Sequence, residues 1–211
     1  MRVAAILAIS ALVCAATVAC YPDQMDSFTQ TSSVVTLVDS QAPLSEARTF
    51  ALPDTIVAVI RGVGAASIAG ENQILARIRE SLISRGWKDV TAIRAEKPDV
   101  VVLTAVVEQS LAGFAYGDWW AAWGFWPGWA GAYGADWVWS TPDGAIVFTY
   151  ETGTLLITML DRNHDDRTNK RVPVLWAAAV NAVLATTPIN LDLAIAGIDQ
   201  AFAQSPYLLR Q

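Results

Sequence analysis

One stretch limits the fold of this chain more than any other: residues 99–107 read DVVVLTAVV, an almost unbroken apolar run directly after Pro98. A strand with one face in water alternates apolar and polar side chains, whereas a strand covered on both faces is apolar at nearly every position. This run therefore predicts a central strand of a sheet, with other parts of the chain packed on both of its faces.

Shorter strand patterns lie on either side of this run. Stretches rich in β-branched and aromatic residues predict strands at residues 49–52, 56–60 and 87–93. Farther along the chain, residues 154–160 and 172–180 have the same character and are joined by a short polar segment. We expect these last two strands to form a hairpin.

The first of two predicted helices begins near Glu71 and ends at Gly86, which is placed to take the left-handed cap conformation. Trp87 follows it and can supply the apolar contact that often accompanies such a cap. Apolar side chains recur along this helix at the spacing of one face: Ile74, Leu75, Ile78 and Leu82.

The second helix is predicted to start around Thr187 and Pro188, because Thr can cap a helix and Pro is tolerated in its first turn. Its predicted buried side chains are Leu191, Ile195, Ile198 and Phe202. Together, the elements indicate a single α+β domain over residues 45–208. We expect an antiparallel or mixed β-sheet with two main helices packed on it, plus a Gly/Trp-rich insertion.

The N-terminus has the pattern of an export signal. Arg2 precedes an apolar run at residues 3–13, and small residues fill most of residues 15–19. The run is shorter than the roughly 20 apolar residues that a spanning helix needs. Residues 1–19 are therefore predicted to be a cleaved signal peptide.

The residues at the end of this signal, Thr17-Val18-Ala19-Cys20, resemble the lipobox of bacterial lipoproteins, although Thr17 stands where that pattern prefers Leu. The resemblance implies that Cys20 is acylated, with palmitate among its chains, and becomes the mature N-terminus. An ordinary signal peptide cut near Ala19 is the alternative. Removal of residues 1–19 leaves Cys20 as the only cysteine, so the mature chain has no disulfide.

Residues 20–44 follow as a predicted polar tether from the lipid anchor to the domain. Tyr21 next to the cysteine resembles the sorting pattern of lipoproteins of the outer membrane. The predicted location is thus the cell envelope, with the protein anchored by lipid in the outer membrane and facing the periplasm.

Several short motifs, in this order, are similar to the domain-of-unknown-function family 4136 of bacterial lipoproteins, and the similarity covers residues 45–208. The resemblance implies an α+β domain with no established activity and no catalytic residues to carry over. The motifs are Arg48-Thr49-Phe50-Ala51, Arg85-Gly86-Trp87, Lys97-Pro98-Asp99-Val100-Val101-Val102, Gly153-Thr154-Leu155-Leu156-Ile157, Leu175-Trp176-Ala177-Ala178 and Ala201-Phe202-Ala203-Gln204-Ser205-Pro206-Tyr207.

Residues 112–144 form a Gly- and aromatic-rich segment that is predicted to be a long insertion loop. Its tryptophans can cover the sheet, lie in a membrane interface, or form a stacking platform for a glycan or a protein partner. The candidate residues for contact with a membrane or ligand are Trp119, Trp120, Trp123, Trp126 and Trp129.

No catalytic motif can be recognised in the sequence, and we expect no catalytic residues, metal site or cofactor. His164 is the only histidine, and the Asp-rich segment around it lacks the Gly and the closing Glu of a calcium loop, so a solvated hairpin turn is predicted there. A net charge of −6 excludes the basic surface on which a nucleic-acid partner depends.

The sequence therefore predicts a lipid-anchored lipoprotein of the cell envelope that acts as a non-enzymatic binding or scaffolding module. Its expected partners are the membrane, through the N-terminal lipid, and an envelope protein or glycan. The alternative is a hydrolase that acts on an envelope glycan or lipid, with Glu108 and Glu151 as candidate carboxylates.

Overall fold

The structure is a computed structural model that describes residues 33–39, 43–59, 70–93, 96–107, 111–114, 138–140, 148–150, 153–181 and 190–210. The elements in chain order are β1 (Val34–Val38), β2 (Thr49–Ala51), β3 (Val57–Val59), α1 (Glu71–Ile83), β4 (Lys88–Asp89), β5 (Val100–Val107), β6 (Leu111–Phe114), β7 (Val138–Ser140), β8 (Phe148–Tyr150), β9 (Thr154–Asp161), β10 (Arg171–Val180) and α2 (Leu191–Ala203), followed by a 3-10 helix (Pro206–Leu208).

The main sheet is mixed and has the order β1-β10-β9-β5-β2-β4. β3 pairs with the end of β5, and β7 pairs with the start of β10. A separate antiparallel pair is formed by β6 and β8. The prediction of an α+β fold with a mixed sheet and two helices is confirmed.

β5 lies in the middle of the main sheet, as predicted. It is antiparallel to β9 on one side and parallel to β2 and β3 on the other. Every residue of β5 is buried. The apolar run thus forms a strand with both faces covered, and the hairpin of β9 and β10 extends the sheet beyond it.

Helices α1 and α2 pack on one face of the sheet and form the main core with it. The predicted face of α1 is buried at Ile74, Ile78 and Leu82, and these side chains meet Phe202 of α2 and Trp176 of β10 in one cluster. No helix in the described ranges is both long enough and apolar enough to cross a bilayer.

The predicted end of α1 is confirmed in detail. Gly86 has a φ of 86°, which is the left-handed conformation that glycine adopts at low cost. Its N–H donates to the carbonyl of Ile83, and the N–H of Trp87 donates to the carbonyl of Leu82. These two bonds satisfy carbonyls that the helix leaves open at its end, and the buried Trp87 supplies the apolar contact.

The predicted strand at residues 87–93 is wrong in its length, because β4 has only two residues. The side chain of Asp89 accepts hydrogen bonds from the main-chain N–H and the hydroxyl of Thr91, at 2.8 and 2.6 Å. The N–H of Val90 still donates to the carbonyl of Phe50, and the Thr91 hydroxyl accepts from the N–H of Leu52 at 2.9 Å. Side-chain bonds of this turn therefore replace the strand ladder beyond Val90.

The predicted start of the second helix near Thr187 and Pro188 is also wrong. α2 begins at Leu191, and Asn190 caps it by accepting a hydrogen bond from the N–H of Leu193 at 3.2 Å. Asn is as good a capping residue as Thr, so the sequence offered two competing starts.

The N-terminal boundary of the domain lies earlier than residue 45. β1 falls within residues 20–44, where a tether was predicted, and it pairs with β10 over its full length. Its run of Val and Leu supplies a partner for a strand that would otherwise form the edge of the sheet. The compact unit that contains the sheet begins at Ser32.

Candidate functional site

A cluster of polar side chains lies at the end of the sheet where β5 begins and β9 ends. We call it the Asp99 cluster, and it consists of Thr49, Asp99, Asp161, Asn163 and His164. The cluster joins the start of β2, the start of β5 and the turn of the β9–β10 hairpin.

Asp99 holds the centre of this cluster. Its Oδ2 atom accepts from the main-chain N–H groups of Arg48 and Thr49 and from the Thr49 hydroxyl, each at 2.9 Å. Its Oδ1 atom accepts from the Asn163 side-chain amide at 3.0 Å. Partial burial by itself raises the pKa of Asp99, but these hydrogen bonds outweigh it and lower the pKa below its ordinary value.

Asp161 and His164 form a second pair within the cluster. The buried carboxylate of Asp161 accepts from the main-chain N–H groups of Asn163 and His164, and its Oδ2 atom lies 2.8 Å from His164 Nδ1. The His164 side chain is 50% exposed. Asp161 thus fixes the direction of a surface imidazole.

The Asp-rich segment after β9 is the turn of the hairpin, as predicted. Asp166 accepts from the main-chain N–H groups of Thr168 and Asn169 at 3.0 Å, so its carboxylate stabilises the turn. Across the described ranges, no group of three or more His, Cys, Asp or Glu side chains is arranged to hold a metal ion.

A groove of about 370 Å³ lies between α1 and α2. Arg77 bridges the two helices through a 2.6 Å ion pair with Asp199. The guanidinium of Arg85 lies 5.0 Å from the centre of the Phe202 ring, and burial lowers the pKa of Arg85. Positive and negative side chains line this groove together, so it has no strong preference for a charged ligand.

The residues that the sequence singled out for function lie outside the described residues. These are Cys20, the five candidate tryptophans Trp119, Trp120, Trp123, Trp126 and Trp129, and the carboxylates Glu108 and Glu151. The Asp99 cluster was missed by sequence reasoning. Its one sequence signal is the spacing of Asp161 and Asn163 directly after a strand, which is typical of a turn in which Asp accepts from the main chain.

The profile of a family described as a domain of unknown function, DUF4136, matches residues 34–207. The chain belongs to the DUF4136 family. The resemblance seen in the sequence motifs is thereby confirmed, and the family match begins at β1, as the domain does. A DUF4136 family protein from Bacteroides thetaiotaomicron has a similar crystal structure, with 28% identity and a TM-score of 0.65, over 85% of this chain and 98% of that protein.

Two other solved structures are less similar to this chain. PelC from Paraburkholderia phytofirmans, a dodecamer, has 10% identity and a TM-score of 0.39 over 85% of this chain and 99% of its own. A PDZ domain protein from Parabacteroides distasonis has 15% identity and a TM-score of 0.39 over 83% of this chain and 36% of its own. Similarity at this level does not bear on function. No curated protein matches the chain.

Proposed function

We propose that this DUF4136 protein is a lipid-anchored lipoprotein of the cell envelope, whose α+β domain is a non-enzymatic binding or scaffolding module. The observation that carries the proposal is the position of Cys20. It follows a signal-like segment, and only residues 21–32 separate it from Ser33, the first described residue of the domain.

This spacing suits a domain held close to a membrane. Residues 21–32, if fully extended, reach at most about 40 Å, at roughly 3.5 Å per residue. Each buried methylene of an acyl chain contributes about 0.8 kcal/mol, so two or more chains on Cys20 make release slow. The proposed location is the outer membrane, with the domain facing the periplasm. This location rests on Tyr21, the residue that follows Cys20.

The roles of the carboxylates of Asp99 and Asp161 support a binding module rather than an enzyme. Asp99 accepts four hydrogen bonds that hold β2, β5 and the hairpin turn together. Asp161 accepts three in the turn itself. A carboxylate that is occupied in this way stabilises the fold and has little capacity left to act as an acid or a base.

Intact mass spectrometry tests the anchor. The protein is expressed with its own signal in a bacterial host, extracted with detergent and compared with Cys20→Ser. We expect cleavage before Cys20 and the added mass of acyl chains, both absent in the variant, which should move to the soluble fraction. An unmodified soluble wild-type chain would disprove the anchor.

The tryptophan segment is the proposed contact for a membrane, an envelope protein or a glycan. Replacing Trp119, Trp120 and Trp126 together by Ala should weaken binding to vesicles of phosphatidylethanolamine and phosphatidylglycerol, or to peptidoglycan, and leave the Tm within about 2 °C. Binding is measured by co-sedimentation and the Tm by calorimetry. A large fall in the Tm would instead assign these side chains to the core and remove them from the contact surface.

The alternative function is a hydrolase acting on an envelope glycan or lipid, and the Asp161–His164 pair is the observation that favours it. Under this alternative, His164→Gln abolishes hydrolysis of peptidoglycan or phospholipid, and Glu108→Gln or Glu151→Gln reduces it. Under the main proposal, the wild-type protein releases no product above that of the heat-denatured protein.

A further inference from the structure

β1 forms one edge of the main sheet. Its inner side is bonded to β10 from end to end, because the Asn181 N–H donates to the carbonyl of Ser33 and the Asp39 N–H donates to the carbonyl of Leu175. The pairing runs without a register shift over all of β1. In the described part of the chain, no strand pairs with the outer side of β1.

The alternation of an antiparallel ladder fixes which main-chain groups face outward. Residues 33 and 39 belong to hydrogen-bonded pairs, so residues 35 and 37 also direct their N–H and C=O groups toward β10. The N–H and C=O groups of Val34, Thr36 and Val38 therefore point away from the sheet. Edge groups of this kind form a template for another strand.

β1 itself carries none of three features that usually prevent pairing. Its sequence, VVTLV, contains no charge and no proline, and no bulge interrupts it. Val35 is 40% exposed and Val38 is 41% exposed, and they lie on opposite faces of the strand. A second strand beside β1 would cover apolar surface on both faces.

We propose that β1 pairs in antiparallel register with β1 of a second copy of this chain, with Thr36 on the two-fold axis. The sequence is complementary to itself in this register: Thr36 faces Thr36, and Val34 faces Val38. These are the three residues whose main-chain groups point outward, so the new ladder uses the outward N–H and C=O groups of all three. Val35 faces Leu37 in the pairs between them, which places apolar side chains opposite each other.

Charge placement at the ends of β1 agrees with this register. Asp39 of one copy lies opposite Ser33 of the other, so the two Asp39 carboxylates do not face each other. The result is a dimer whose main sheet continues across the two-fold axis. The dimer goes beyond the proposed lipid anchor and does not require it, although two copies on one membrane would meet at a higher effective concentration.

Disulfide cross-linking tests the register. Thr36→Cys is made in the full chain with Cys14→Ser and Cys20→Ser, so that it carries the only thiol, and the purified protein is oxidised. The two Thr36 Cα atoms of a hydrogen-bonded pair lie about 5.5 Å apart, within the disulfide range. Val38→Cys is the matched control. In this register Val38 of one copy lies opposite Val34 of the other, so the two introduced cysteines would be about 13 Å apart along the strand.

We expect at least a tenfold excess of cross-linked dimer for Thr36→Cys over Val38→Cys. Equal cross-linking of the two variants, or none for Thr36→Cys, would overturn the proposed pairing. The proposal would also be overturned if the Thr36→Cys variant, oxidised in cells, formed a cross-linked product whose mass shows another protein in place of the second copy. Acylation of Cys20 is measured separately, so the dimer and the anchor can fail independently.

A second variant tests the interface without a thiol. Val35→Lys places a charge on the exposed edge, where the folded monomer tolerates it, and should shift the wild-type dimer to a monomer in sedimentation velocity. Ile83→Lys is the control, because Ile83 is 50% exposed on α1, away from β1. It should leave the dimer intact. A wild-type monomer at all concentrations, or a Val35→Lys dimer, would contradict the proposal.

Discussion

At the scale of single residues, Asp99 connects parts of the chain that are far apart in sequence. It is bonded to Thr49, 50 positions earlier, and to Asn163, 64 positions later. Neither partner can be recognised from the sequence around Asp99, although each local segment predicts its own strand or turn. The carboxylate therefore fixes how two predicted pieces meet.

We predict that Asp99→Ala lowers the free energy of unfolding by about 1–3 kcal/mol, since it removes four hydrogen bonds to a charged acceptor, among them the bond from the partly buried N–H of Thr49. Urea denaturation measures this loss. Asp166→Ala is the matched control, because that carboxylate bonds only within its exposed turn, and it should cost less than about 1 kcal/mol. Similar losses for the two variants would show that Asp99 has no special role.

The lowered pKa of Asp99 gives the loss a pH dependence. Because the folded-state pKa lies below the unfolded value of about 3.9, the contribution of Asp99 is complete above pH 4 and declines as the pH falls through the folded-state pKa. Asp99→Asn should therefore be less stable than wild type at pH 7 and nearly as stable at the lowest pH. A constant difference across this range would contradict the lowered pKa.

Ser205 provides a second test at this scale. Its buried hydroxyl accepts the indole N–H of Trp176 at 2.9 Å, and Trp176 lies against Phe202 with ring centres 5.3 Å apart. Ser205→Ala should lower the free energy of unfolding by about 1–3 kcal/mol, because the indole N–H stays buried without an acceptor. Tyr207→Phe removes the other partner of this hydroxyl and should cost much less, since Tyr207 is partly exposed.

At the scale of elements, Gly197 sets how closely α2 approaches β10. A Cβ atom at this position would lie 2.1 Å from Cγ1 of Val180. Glycine in a helix costs about 1 kcal/mol relative to alanine, so propensity alone would favour Gly197→Ala. The steric cost of overpacking, about 1–3 kcal/mol, is larger and acts against the replacement.

We therefore predict that Gly197→Ala lowers the free energy of unfolding, and that adding Val180→Ala restores part of the loss. A double-mutant cycle by urea denaturation should give a favourable coupling of about 1 kcal/mol or more. Additive effects would mean that α2 and β10 separate without cost, and that the close contact does not determine the packing.

At the scale of the whole molecule, β1 decides where the domain begins. Val34 packs against the core, and the pairing with β10 spans five residues. A chain that starts at Ser32 should keep the Tm of the mature protein. A chain that starts at residue 40 should lose roughly 3 kcal/mol or more, which lowers the Tm of a domain of this size by about 10 °C. Calorimetry of the two chains tests this boundary. Equal Tm values would mean that β1 belongs to the tether and not to the domain.

The sequence by itself determined the features that depend on neighbouring residues. The run at 99–107 indicated a buried central strand, the spacing of Ile74, Ile78 and Leu82 indicated the buried face of α1, and Gly86 indicated where α1 ends. In each case the side chains that form the pattern lie within a few turns of a helix or a few residues of a strand. Their spacing along the sequence therefore predicts which of them are buried.

Only the tertiary structure decided which segments meet. Residues 34–38 are similar in composition to many apolar stretches, and their place in the sheet depends on β10, about 140 positions away. The shortness of β4 depends on the hydroxyl of Thr91, which bonds to Asp89 and also accepts from the N–H of Leu52. The cap of α2 is Asn190 rather than Thr187. A polar group or an edge strand has several acceptable partners. Which partner it pairs with depends on the packing free energy of the whole chain.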